Sequence, residues 1–122
     1  MGNHTAADRT AGLVRVLADA GSLAFGPVGI AAIAPPEAEA FAEMRAAGPG
    51  ATVHAEWLLA HGSPVAQVYA THLLAAWHPA RAAALWTRLA TQPGELSVIA
   101  GCSIAPTTLA AYAQRELAGL QA

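Results

Sequence analysis

Lysine is absent from the sequence, and all six basic residues are arginine. A phosphate-binding loop of the Walker type needs a lysine on the phosphates, and pyridoxal-type catalysis needs one to form a Schiff base. Both chemistries are therefore excluded. The same usage, with abundant alanine and glycine, is typical of a bacterial chain from a GC-rich genome.

Charged residues are scarce, at 11% of the chain against about 25% in an average soluble domain. The formal net charge is −2 and the six arginines are scattered, so no basic stripe can follow a phosphate backbone. Nucleic acid is therefore not expected as a partner. Hydrophobic residues reach 55%, which leaves a weakly charged surface that favours self-association or a protein partner.

Cys102 is the only cysteine, so an internal disulfide is excluded and a cytoplasmic location is expected. The longest uncharged apolar run near the N-terminus, residues 21–34, is shorter than the roughly 20 residues that cross a bilayer and contains Pro27. Charges at Asp8, Arg15 and Asp19 before this run argue against a signal peptide. No membrane association is predicted.

A length of 122 residues predicts a single domain over 1–122. Its centre is predicted to be a helix over 64–78, because Ser63 is a favourable N-cap and Pro64 fits the first helical position. Pro79 then opens a second, amphipathic helix. The first helix is apolar around most of its circumference, which predicts burial on nearly all sides. Most of this circumference is covered by Val65, Val68, Tyr69, His72, Leu73, Ala76 and Trp77.

Further helical patterns, separated by glycine and proline, lie at about 5–20, 35–48, 51–60 and 106–121. The chain is therefore predicted to be all-α, with five or six helices around the central one. Residues 23–30 show no periodicity and predict an apolar connection. Residues 96–104 alternate like a strand, but no second strand is evident to pair with them, so an extended linker is predicted near 95–105.

The span from Ala55 to Thr91 contains a short helix, a Gly-Ser-Pro break, a long Ala/Leu helix ending in His-Pro, and another alanine-rich helix. In this arrangement it resembles HEAT-type α-hairpin repeats, which often carry Gly-x-Pro or Asp-Pro breaks before their helices. The resemblance covers about a third of the chain. It implies HEAT-like helical packing and a protein-binding scaffold rather than a catalyst.

The histidines show no metal-binding spacing. His54 and His61 are seven residues apart, which places them about 10 Å apart along a helix, too far for one metal with ligands at about 2 Å. His72 and His78 are six apart and point in different directions. Neither His-x-x-x-His nor Cys-x-x-Cys occurs, so no metal and no cofactor are predicted.

His72 and Cys102 are the two candidate catalytic residues. His72 lies between Val68 and Ala76 on the apolar side of the central helix, where a neutral imidazole needs hydrogen-bond partners. It is interpreted as a core histidine or as a general base or ligand contact facing a cavity, with Tyr69 as its natural neighbour. Cys102 would be a thiol nucleophile if His72 or His54 lay beside it, and otherwise a small packed residue.

Trp57, Trp77 and Trp86 fall on three consecutive predicted helices. Stacking in the core is favoured over lining a pocket for a flat apolar ligand, because aromatic burial needs no ligand. A tryptophan that proves exposed becomes the first candidate for a binding anchor.

The leading hypothesis is a small helical interaction or inhibitor-like module that uses a weakly charged apolar face to bind a protein partner or a second copy. The alternative is a small-molecule-binding protein or small enzyme with an inter-helix pocket around Tyr69, His72 and Trp77, with Trp57 and Cys102 as further lining. A piece of a larger helical-repeat assembly is a third possibility. Catalysis is not favoured, because no catalytic signature is present.

Overall fold

A computed structural model describes residues 5–25, 35–100 and 103–121. Within these ranges the chain is mostly helical, as predicted, and none of the helices is long and apolar enough to span a bilayer. The described residues form six α-helices, which are α1 (Thr5–Ala18), α2 (Pro36–Ala47), α3 (Thr52–His61), α4 (Pro64–Trp77), α5 (Ala82–Leu89) and α6 (Leu109–Gln121). Short 3-10 turns at Pro49–Ala51 and Pro79–Arg81 lead into α3 and α5.

In the part of the chain that the structure describes, three strands form a small sheet, β1 (Ser22–Leu23), β2 (Glu95–Ala100) and β3 (Ser103–Thr108). The central strand β2 pairs in parallel with β1 and antiparallel with β3. The extended linker predicted near 95–105 is therefore wrong, as is the prediction of no regular element at residue 23. The two partner strands cannot be recognised from the sequence. Strand β1 has only two residues, too few to show a periodicity. Strand β3 contains Pro106, which suits an edge strand but also fits the start of a helix.

The central position of α4 follows from its apolar circumference. Eight of its fourteen residues are buried, and they contact a core to which every helix contributes. One buried residue from each of the other five helices illustrates this core: Leu17, Met44, Leu58, Leu89 and Leu109. The sheet contributes Leu23 and Leu96 to the same cluster. The core therefore surrounds α4, which fixes the positions of Tyr69 and His72.

Ser63 caps α4 and also fastens it to the end of α1. Its hydroxyl oxygen accepts a hydrogen bond from the Ala66 N–H at 3.2 Å and donates one to the Ala20 carbonyl at 2.7 Å. Its backbone N–H donates to the Ala18 carbonyl at 2.9 Å. The N-cap predicted from the sequence is thus also a tertiary contact.

Replacing Ser63 by Ala is expected to lower the free energy of unfolding by about 1–2 kcal/mol, because both the helix cap and the bond to Ala20 are lost. Urea unfolding followed by circular dichroism measures the change. Ser103→Ala removes an exposed hydroxyl from β3 and serves as the matched control, with an expected change below about 0.5 kcal/mol. Equal stabilities of the two variants would contradict the double role of Ser63.

Candidate ligand-binding cleft

His72 lies on α4 inside a cage of aromatic rings. Its ring centroid is 5.0 Å from that of Phe25, 4.9 Å from Trp86 and 5.9 Å from Tyr112, each pair in an edge-to-face arrangement. Its Nε2 lies 2.8 Å from the hydroxyl oxygen of Tyr112, within hydrogen-bond distance. The imidazole is therefore held by residues that follow β1 or belong to α5 and α6.

Tyr69, the expected neighbour of His72, forms its hydrogen bonds with Ala24. Its hydroxyl donates to the Ala24 carbonyl at 2.6 Å and accepts from the Ala24 N–H at 2.8 Å. Tyr69 is fully buried, and this burial raises the pKa of its hydroxyl to about 12, against the lowering effect of the Ala24 bond. The side chain remains a neutral phenol that ties the segment after β1 to α4.

A cleft of about 490 Å³ opens beside His72, between α2 and α4. Most of its described lining is apolar, and His72 and Arg45 are the two polar side chains that reach it. The lining residues are Phe25, Phe41, Arg45, His72, Ala75 and Ala76. None of these carries a carboxylate, hydroxyl or thiol, so the polar groups of the described lining are a guanidinium and an imidazole.

The imidazole of His72 is uncharged at neutral pH. Burial lowers its pKa to about 4, and the positive charge of Arg45 acts in the same direction. Burial also raises the pKa of Tyr112 well above its usual value, and the negative charge of Glu116 adds to this effect. The pair is therefore a neutral imidazole bonded to a neutral phenol.

The Nδ1 atom of His72 is the free end of this pair. Within the described part of the chain Nδ1 has no hydrogen-bond partner, and no side-chain nitrogen or oxygen is buried without one, so Nδ1 reaches solvent. In one tautomer the Tyr112 hydroxyl donates to Nε2 and Nδ1 carries the proton. In the other, Nε2 donates to Tyr112 and Nδ1 is an acceptor.

The three tryptophans do not share one environment. Trp86 is almost completely buried against His72 and Tyr112, whereas Trp77 is partly buried beside the core. Trp57 is 48% exposed on α3, with its ring centroid 5.0 Å from that of His61, so its predicted place in the core is wrong. Neither Trp57 nor Trp77 is part of the described cleft lining.

The sequence pattern missed Phe25, Phe41, Arg45 and Tyr112 as neighbours of His72. A compositional signal was available, because the chain has only two phenylalanines and two tyrosines, and all four rings meet here. Phe25 and Phe41 lie 5.6 Å and 5.2 Å from the Tyr69 ring. Scarce aromatic residues on separate segments of a chain can therefore be considered together as one cluster.

Two expectations from the sequence stay predictions: Cys102 as a thiol nucleophile, and the absence of a metal site. Cys102 lies outside the described residues. Within the described ranges no three histidine, cysteine, aspartate or glutamate side chains come together as a metal site. His54, the other suggested partner of Cys102, lies on α3, whereas the cleft lies between α2 and α4.

Comparison with protein-family models, with curated proteins and with solved structures finds no match to this chain.

Proposed function

We propose that this chain is a small-molecule-binding protein and that its site is the cleft beside His72. The observation that carries the proposal is the convergence of two polar groups, on Arg45 and His72, at a cleft of about 490 Å³ whose other described lining residues are apolar. Binding sites for small molecules are typically about 300–1,000 Å³, mostly apolar, with a few polar groups that orient the ligand. The cleft has these properties.

The rigid placement of His72 by the surrounding core also favours the proposal. His72 belongs to the most buried helix, and its ring is braced by Phe25, Trp86 and Tyr112. A polar group held in this way loses little conformational freedom on binding, so more of the interaction energy appears as affinity.

A fragment library tests the proposal by NMR, with the imidazole of His72 and the methyl groups of Ala75 and Ala76 as reporters. We expect several fragments to cause saturable shifts of these signals in the wild type. In Ala76→Leu the shifts of the remaining reporters, His72 and Ala75, should be lost, because the added carbons fill the cleft from an exposed position. Ala84→Leu, on the exposed side of α5, is the matched control and should bind like the wild type.

Two results would count against a cleft function. One is a library that leaves the His72 signals unmoved in a folded protein. The other is fragment binding that survives Ala76→Leu unchanged, because the ligand would then lie elsewhere.

A second candidate function is binding of a protein partner or a second copy through the outer face of α3. Val53 and Trp57 lie one turn apart there and are 66% and 48% exposed. An exposed tryptophan beside a second apolar residue is a common binding anchor. The HEAT-like packing of α3 and α4, and with it the interaction or inhibitor-like role, belongs to this proposal.

Light scattering after gel filtration at micromolar concentration tests the second candidate. A homodimer that Trp57→Ser converts to a monomer supports it, and Val16→Ser, another exposed apolar residue, is the control. A strict monomer without a stoichiometric protein partner would count against it. The bacterial origin, the cytoplasmic location and the single domain stay predictions.

A further inference from the structure

We infer that the cleft takes a small apolar molecule with one carboxylate, its charge held by Arg45 and its apolar part packed on Phe25 and Phe41. This inference rests on the proposed function, since it names the ligand class of the same site.

Arg45 provides the charge. It is the only charged side chain of the described cleft lining. The ion pairs in the described part of the molecule join Arg9 to Glu43 and Arg81 to Glu56, both at 2.9 Å, and neither uses Arg45. A guanidinium is always charged and its planar fork matches a carboxylate, so an unpaired one beside a cleft favours an anion and repels a cation.

The apolar wall limits the rest of the ligand. Phe25 and Phe41 are in edge-to-face contact, with ring centroids 5.1 Å apart, and Ala75 and Ala76 line the cleft from α4. A volume of about 490 Å³ corresponds to about 16 water molecules at about 30 Å³ each, enough for an apolar group of about 10–15 non-hydrogen atoms. A phosphate dianion suits the cleft less well, because a single arginine would face two negative charges.

His72 supplies a second contact without carrying charge. A carboxylate beside Nδ1 selects the tautomer in which Nδ1 carries the proton and the Tyr112 hydroxyl donates to Nε2. Tyr112 is then a positioning residue, since it sets the direction of the imidazole proton without touching the ligand.

The experiment compares two probes of the same shape, 3-phenylpropionate and its neutral amide, 3-phenylpropanamide. NMR titration of the intact chain at pH 7 should show the acid binding several-fold more tightly, because a charge-assisted hydrogen bond adds affinity while the exposure of Arg45 to solvent reduces the gain. Arg45→Gln should remove the preference. Arg88→Gln, an exposed arginine of α5, changes the net charge equally and should retain it.

The outcomes distinguish failure of the carboxylate ligand class from failure of small-molecule binding in the cleft. Equal binding of the acid and the amide, or an acid preference that survives Arg45→Gln, overturns the ligand class but leaves a cleft-binding protein. The same holds if fragments of the library bind while neither probe does. If neither the probes nor the library moves the His72 signals, the proposed function fails as well.

The nitrogen signals of His72 test the part played by Tyr112. When 3-phenylpropionate is bound, Nδ1 should show the ¹⁵N shift of a protonated nitrogen and Nε2 that of an unprotonated one. In Tyr112→Phe the ¹⁵N shifts of the two nitrogens should become more similar, and the affinity for 3-phenylpropionate should fall several-fold. The preference for the acid over the amide should still depend on Arg45. A bound state with the proton on Nε2 would overturn the contact to His72.

Discussion

Replacing Tyr69 by Phe is expected to lower the free energy of unfolding by about 2–5 kcal/mol. The hydroxyl makes two hydrogen bonds, at 2.6 and 2.8 Å, to the carbonyl and the N–H of Ala24. Both residues are completely buried, so neither backbone group can turn to water when the hydroxyl is removed. An unsatisfied buried polar group costs about 1–3 kcal/mol, and this substitution creates two.

Urea unfolding followed by circular dichroism measures the loss, and Tyr112→Phe is the matched control. It removes the same atom from a buried tyrosine, but its partner Nε2 belongs to a side chain that also reaches solvent, so a change below about 1.5 kcal/mol is expected. Amide exchange at Ala24 should accelerate in Tyr69→Phe only. Equal decreases in the free energy of unfolding of the two variants would contradict the larger contribution expected from the hydrogen bonds to Ala24.

His72 is expected to titrate at about 4 in the folded protein, and to make the protein less stable as the pH falls from about 6.5 to about 4. Its pKa is depressed by burial and by the charge of Arg45 on α2, whereas its neighbour from α6, Tyr112, is neutral. In the unfolded chain the pKa returns to about 6.5. Between these values the unfolded state binds the extra proton, so acid favours unfolding.

The size of this effect follows from the two pKa values. A difference of about 2.5 units corresponds to about 3 kcal/mol at most, and partial access to solvent reduces it. The contribution is fully present above pH 6.5, and below pH 4 no further loss comes from this residue.

Two measurements check the titration of His72. NMR of its ring protons gives the pKa directly. Urea unfolding of the wild type and of His72→Gln between pH 4 and pH 7 gives the pH dependence of the free energy of unfolding. The difference between the two proteins isolates the contribution of His72, because the contribution of the carboxylates is common to both and cancels. A folded-state pKa near 6.5, or parallel stability profiles, would mean that the ring is solvated rather than caged.

Local sequence was sufficient to predict the helices and their order. Ser63 and Pro64 mark the start of α4 through cap chemistry, and Pro79 marks its end through a missing N–H. The continuous apolar surface of α4 predicted its burial. The cap residues, the proline and the apolar pattern each act within one or two helical turns, so they can be recognised without knowledge of the tertiary packing.

The tertiary structure alone decided the sheet and the cleft. Ser22 pairs with Ser97 across most of the chain, and a two-residue strand has no periodicity to reveal it. The cleft depends on Phe25, Arg45 and His72, which come from three segments that meet only because their apolar faces share the core around α4. A sequence pattern reports what a segment prefers to bury, whereas the choice of neighbour is set by packing and hydrogen bonding between distant segments.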